Sequence, residues 1–129
     1  MRLSKSADFA LRIVVELAHR PEPQTMPVLS EKLKVPYHNL SKLIQIMSKA
    51  GIIQTRQGKN GGVQLLKNAA EISLKTVIDS IDGPTRLSDC SSGTQACSFT
   101  PTCKLKEQFY QIQKQIDTLF DEVKIASML

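Results

Sequence analysis

The sequence predicts a mainly α fold with one small β-hairpin: a winged helix-turn-helix domain followed by a long C-terminal dimerisation helix. Three observations predict it. Two short amphipathic stretches flank a "VP" turn at positions 35–36. A glycine-rich "GKNGG" at 58–62 separates two apolar runs. Near the C-terminus, Leu105, Phe109, Ile112, Ile116, Leu119, Val123 and Ala126 recur at alternating steps of four and three.

Each element follows from local chemistry. The first helix is expected over about 5–19, capped by Ser4 or Ser6. Ala7, Ala10, Leu11, Val14, Leu17 and Ala18 give it one apolar stripe. "PEPQTMP" then stops it, because so many prolines cannot continue a helix. A short helix follows over about 27–34, with Pro27 tolerated in its first turn. The next runs to about Ala50, burying Leu40, Leu43, Ile44, Met47 and Ala50. Gly51 stands where a C-terminal cap belongs. Together these make a helix-turn-helix over about 27–51.

Positions 52–55 and 63–66 read as paired strands, with "GKNGG" supplying the backbone freedom of the tip. This basic hairpin, over about 52–66, is the wing. A fourth helix over about 73–82 has Ser73 as its N-cap, and Gly83 and Pro84 as its stop. Residues 1–83 are thus the expected DNA-binding domain and 84–103 a cysteine-bearing loop. Residues 104–129 are the dimerisation segment. Its helix, expected over about 104–126, reaches about 33 Å, longer than so small a core can cover, and its heptads call for a partner helix.

The chain has 129 residues, 41% of them hydrophobic, which suits one folded domain. No apolar run approaches a membrane span. Asp8, Arg12 and Glu16 break the apolar character of the first twenty residues, so no signal peptide is expected and the protein is placed in the cytoplasm, where thiols stay reduced. The net charge of +5 is uneven. Residues 1–67 carry eleven Lys/Arg against four Asp/Glu, or +7; residues 68–129 carry six against eight, or −2. The positive half coincides with the helix-turn-helix, as a polyanion partner requires.

Within that half, His38, Asn39, Ser41, Lys42 and Gln45 form the polar face of the reading helix. Asn and Gln pair bidentately with adenine and Lys with guanine, while Ser suits phosphate. In the wing, Arg56 and Lys59 suit the minor groove or phosphates, with Asn60 at the tip. The partner is therefore double-stranded DNA, with a palindromic operator if the protein is a homodimer. His19 and His38 are expected on the surface rather than on a metal. No nucleotide-binding glycine motif, catalytic triad or paired-carboxylate arrangement is evident, so an enzyme is not expected.

Cys90, Cys97 and Cys103 all lie in "DCSSGTQACSFTPTC", with spacing C-x6-C-x5-C. The short knuckle that opens most zinc sites is missing. Wide spacing suits a larger object held by thiolates, such as an iron–sulphur cluster. Zinc and a metal-free thiol redox switch stay open on spacing alone.

Three stretches narrow the choice. "MRLSKSADFALR", "RQGKNGGVQL" and "DCSSGTQACSFTPTCKLKEQF", in that order, resemble the winged-helix iron–sulphur repressors typified by IscR and NsrR, over nearly the whole length. "GKNGG" and "TPTCKLK" are most similar to the NsrR pattern. The IscR type carries a histidine three residues after its last cysteine, where this chain has Lys106. The resemblance implies a cluster, 4Fe-4S rather than 2Fe-2S, bound by Cys90, Cys97 and Cys103 and by Asp8 of the partner subunit. It also implies a homodimeric repressor that senses nitric oxide and leaves DNA when the cluster is damaged. Regulation by iron or cluster supply would use the same ligands.

Overall fold

The computed structural model describes residues 2–88 and 103–129. Helix α1 (Lys5–His19) begins at Ser4, whose Oγ accepts the Ala7 N–H at 3.0 Å. It buries Ala7, Ala10, Ile13, Val14 and Leu17. Leu11 and Ala18 of the expected stripe are only partly buried, and Ile13 replaces them in the core. Helices α2 (Met26–Leu33) and α3 (Tyr37–Lys49) form the helix-turn-helix, with Pro27 in the first turn of α2. The tight turn depends on Lys34, a non-glycine at φ 55. Ser30 holds it: its Oγ donates to the Val35 carbonyl at 2.7 Å, and its own carbonyl accepts the Val35 N–H at 3.2 Å.

Leu40, Leu43, Ile44 and Met47 of α3 are buried as expected, but Ala50 is exposed. It is the residue that ends the helix, and Gly51 at φ 76 turns the chain away beneath it. Strands β1 (Ile53–Arg56) and β2 (Gly62–Leu65) pair antiparallel, from Ile53 opposite Leu65 to Arg56 opposite Gly62. The wing has a second support that the sequence does not announce. Gln24, before α2, exchanges two backbone bonds with Val63, at 2.8 and 2.7 Å. Gly62 is required there, since a Cβ on it would lie 2.6 Å from the Gln24 carbonyl oxygen.

After a 3-10 turn at Ala69–Glu71, α4 (Leu74–Asp82) starts at Ser73 and stops at Gly83, φ 74. Helix α5 (Lys104–Glu122) is shorter than its heptads suggest. The chain leaves the helix because its end is tied to the domain. The Val123 carbonyl accepts the Leu74 N–H at 2.9 Å, and the Ile125 N–H donates to the Ile72 carbonyl at 2.8 Å. Ile125 is fully buried in the core formed by α1, α3 and α4, in a closing 3-10 turn (Ile125–Met128). Val123 and Ala126 therefore extend no helical stripe. Leu105, Ile112 and Leu119, seven positions apart, are left exposed on one face of α5. Among the described residues no helix is long and apolar enough to cross a membrane.

Candidate nucleic-acid interface and cysteine site

Burying one face of α3 forces its other face outward. His38, Asn39, Lys42 and Gln45 are exposed and Ser41 is half-buried. In the wing, Arg56, Lys59 and Asn60 are exposed. Among the described residues none of these eight side chains makes a hydrogen bond or ion pair within the chain. Four basic residues of the helical frame are paired instead. Arg12 pairs with Asp8, Arg20 and Lys32 with Glu16, and Lys75 with Asp79. The reading helix and wing therefore present donors with no partner inside the chain, as contact with phosphates and base edges requires.

Tyr37 and Ile46, both exposed on α3, extend this face. Sequence reasoning missed them because both residue types read as core. Apolar contact with a thymine methyl is a known use of such side chains. Beside α3 lies a cleft of about 370 Å³ whose lining includes Ser4, Ser6, Asn39, Lys42 and Asp82. Asp82 closes it: one carboxylate oxygen accepts the Ser4 hydroxyl at 2.5 Å, the other the Ser4 N–H at 3.3 Å. The start of α1 is thereby tied to the end of α4.

The frame behind the reading head is held by charge. Glu16 accepts Lys32 Nζ at 2.5 Å and Arg20 at 3.4 Å, joining α1 to α2. The Lys32 bond is the main reason its carboxyl sits below the ordinary 4.5, against a smaller opposing effect of burial. On α4, the hydrogen bond from Lys75 to Asp79 is the main cause that raises the lysine above its usual 10.5.

Cys90 and Cys97 lie outside the described residues. Cys103 is a free, partly exposed thiol at the N-cap of α5 and makes no side-chain cap bond. Asp8 sits in the first turn of α1, its side chain 51% exposed, bonded to Arg12 at 2.9 Å. It lines a groove of about 460 Å³ with Leu11, Val15, Leu74 and Met128; Cys103 is not part of that lining. Among the described residues no three His, Cys, Asp or Glu side chains converge on one point. His19 and His38 are exposed.

Two amphipathic helices about a three-residue turn, a following hairpin and an outward basic face define a winged-helix DNA-binding protein. The sequence matches the model of the Rrf2 family, described as iron-dependent transcriptional regulators, over residues 3–129, and the chain belongs to that family. It is 30% identical over 109 residues to the HTH-type transcriptional regulator NsrR of Shouchella clausii, covering 82% of this chain and 73% of that one. Its fold is similar to that of T. potens IscR (TM-score 0.78, 18% identity, 99% of this chain and 85% of that one). It is also similar to CymR, the global cysteine regulator of B. subtilis (TM-score 0.83, 18% identity, 99% and 95%). The protein is a transcriptional regulator and not an enzyme.

Proposed function

We propose that this regulator is a homodimeric repressor whose hold on DNA depends on an iron–sulphur cluster and is released by nitric oxide. The observation that carries the reading is the Ser4–Asp82 tie. It joins the helix that bears Asp8 to the end of α4, from which the cysteine segment departs, and it does so beside Asn39 and Lys42 of the reading helix.

The described residues fit such a group. Cys103 is a free, partly exposed thiol at the start of α5, accessible to such a group. Asp8 is restrained only by an exposed ion pair, worth about 0–1 kcal/mol, so its carboxylate is available to a partner. Cys90, Cys97 and Cys103 of one chain and Asp8 of the partner subunit would hold a cluster, 4Fe-4S in our reading. When bound, the cluster supplies iron as the point of attack for nitric oxide. Asp8 would be a harder and weaker donor to such iron than a thiolate, and so the most exchangeable of the four ligands. Asp8 lies in the first turn of α1, and the Ser4–Asp82 bonds join the start of that helix to the end of α4 in a cleft shared with Asn39 and Lys42. The exposed Leu105, Ile112 and Leu119 supply the dimer seam.

The test is anaerobic purification of the dimer with iron counted per chain. Wild-type protein should be brown and iron-loaded. Any Cys→Ala change should abolish loading, and Asp8→Ala should load iron but lose it faster. Equal iron retention in Asp8→Ala would remove Asp8 from the ligand set. A free, accessible Cys103 also suits a metal-free thiol switch; a colourless protein with stoichiometric disulfide would establish that reading instead.

A further inference from the structure

Among the described residues Lys34 is the one non-glycine at positive φ, with φ 55 and ψ 39. A Cβ crowds the backbone in this left-handed region, which glycine and asparagine enter more readily. The packing on either side leaves the chain no other path. Leu29 and Val35, which flank the turn, are both buried in the core. Ser30 fixes what lies between them. Its carbonyl accepts the Lys34 N–H and the Val35 N–H, and its Oγ donates to the Val35 carbonyl. The turn is thus imposed from both sides, but nothing in it calls for a lysine. Glycine would make the same turn without strain.

What the lysine adds is its side chain. It is exposed, and among the described residues its ammonium has no hydrogen bond or ion pair. Lys32, on the same helix, is taken by Glu16. In a helix-turn-helix the first helix crosses the DNA backbone, and the start of the second meets base edges in the major groove. Lys34 is the C-cap of α2, and α3 begins at Tyr37, so Lys34 stands between those two contacts. The DNA group next to that position is a backbone phosphate.

We propose that Lys34 is a DNA-backbone contact: its ammonium takes a phosphate oxygen beside the reading helix, and the strained turn is kept because it places that charge there. This goes beyond the sensing reading. It rests on the winged-helix class of the protein, and the cluster plays no part in it.

The test uses the full chain as wild type, Lys34→Gly and Lys34→Asn, with a DNA duplex of mixed sequence as the probe at several salt concentrations. Both replacements suit the left-handed turn and remove the charge. Relief of strain, less the greater freedom of glycine in the unfolded chain, should raise the folding equilibrium constant of Lys34→Gly about two- to fivefold in urea denaturation. That more stable protein should nevertheless bind the duplex about five- to tenfold more weakly at about 0.1 M salt. The slope of log affinity against log salt should fall by about one per bound chain. Lys34→Asn should show the same loss of binding. A more stable Lys34→Gly that binds with wild-type affinity and slope would overturn the proposal. So would a Lys34→Gly no more stable than wild type, since the turn would then hold a lysine without strain. Neither outcome touches the cluster reading, which the iron count decides.

Discussion

Replacing Gly62 by alanine tests whether the wing is held by its contact with Gln24. Gly62 has φ 146, which side-chain-bearing residues rarely adopt, at about 1–3 kcal/mol. The new Cβ would lie 2.6 Å from the Gln24 carbonyl oxygen and 2.9 Å from its carbon, both backbone atoms that cannot swing aside. Relief requires β2 to part from Gln24, losing at least one of the two Gln24–Val63 bonds, about 1 kcal/mol. The sum is about 2–4 kcal/mol, a large share of a typical 5–15. In urea, with a slope of about 1–3 kcal/mol/M, the midpoint should fall by roughly 1–2 M. Gly58→Ala is the internal control: its φ is 103 but nothing lies near its Cβ position, so its fall should be smaller. A Gly62→Ala midpoint within about 0.3 M of wild type would refute the reasoning.

Arg56→Ala should weaken operator binding by about 1–3 kcal/mol if the side chain reads a base, seen in footprinting as relaxed specificity at one position; an unchanged footprint would mean Arg56 stays in solvent. Ile125→Ala should destabilise by about 2–5 kcal/mol in chemical denaturation, because the fully buried side chain anchors the end of the chain to the core. The lowered pKa of Glu16 gives stability that is complete above its ordinary 4.5 and lost as pH falls through the lower folded value. Glu16→Gln should therefore flatten the acid side of the stability curve, and a parallel curve would show the Lys32 pair contributes nothing. Lys75 has the opposite sign: its raised pKa gives stability present below 10.5 and lost as pH rises through the folded value, so Asp79→Asn should flatten the alkaline side.

Much of this architecture is legible in the sequence because it rests on local rules. Ser4 and Ser73 are caps before apolar periodicity, and both accept the bonds expected of them. Leu40, Leu43, Ile44 and Met47 follow helical spacing and are buried together. Long-range ties are what local reading cannot see. The Gln24–Val63 pair, the Ser4–Asp82 bonds and the Gln113–Leu87 bond join residues 39, 78 and 26 positions apart. The helix end at Glu122 was hidden for the same reason: a heptad continues in the sequence while Ile125 is drawn into the core. The reading face was legible as polar residues opposite an apolar stripe, but Tyr37 and Ile46 were not, because exposure of an apolar side chain leaves no local signature.

The most direct measurement is operator binding by the anaerobic, iron-loaded dimer as nitric oxide is added, with visible absorbance followed in the same sample. The account predicts tight binding at the outset, lost in step with the bleaching of the iron chromophore. Binding that persists unchanged after the chromophore is gone, or that is equally tight in protein that never held iron, would contradict it.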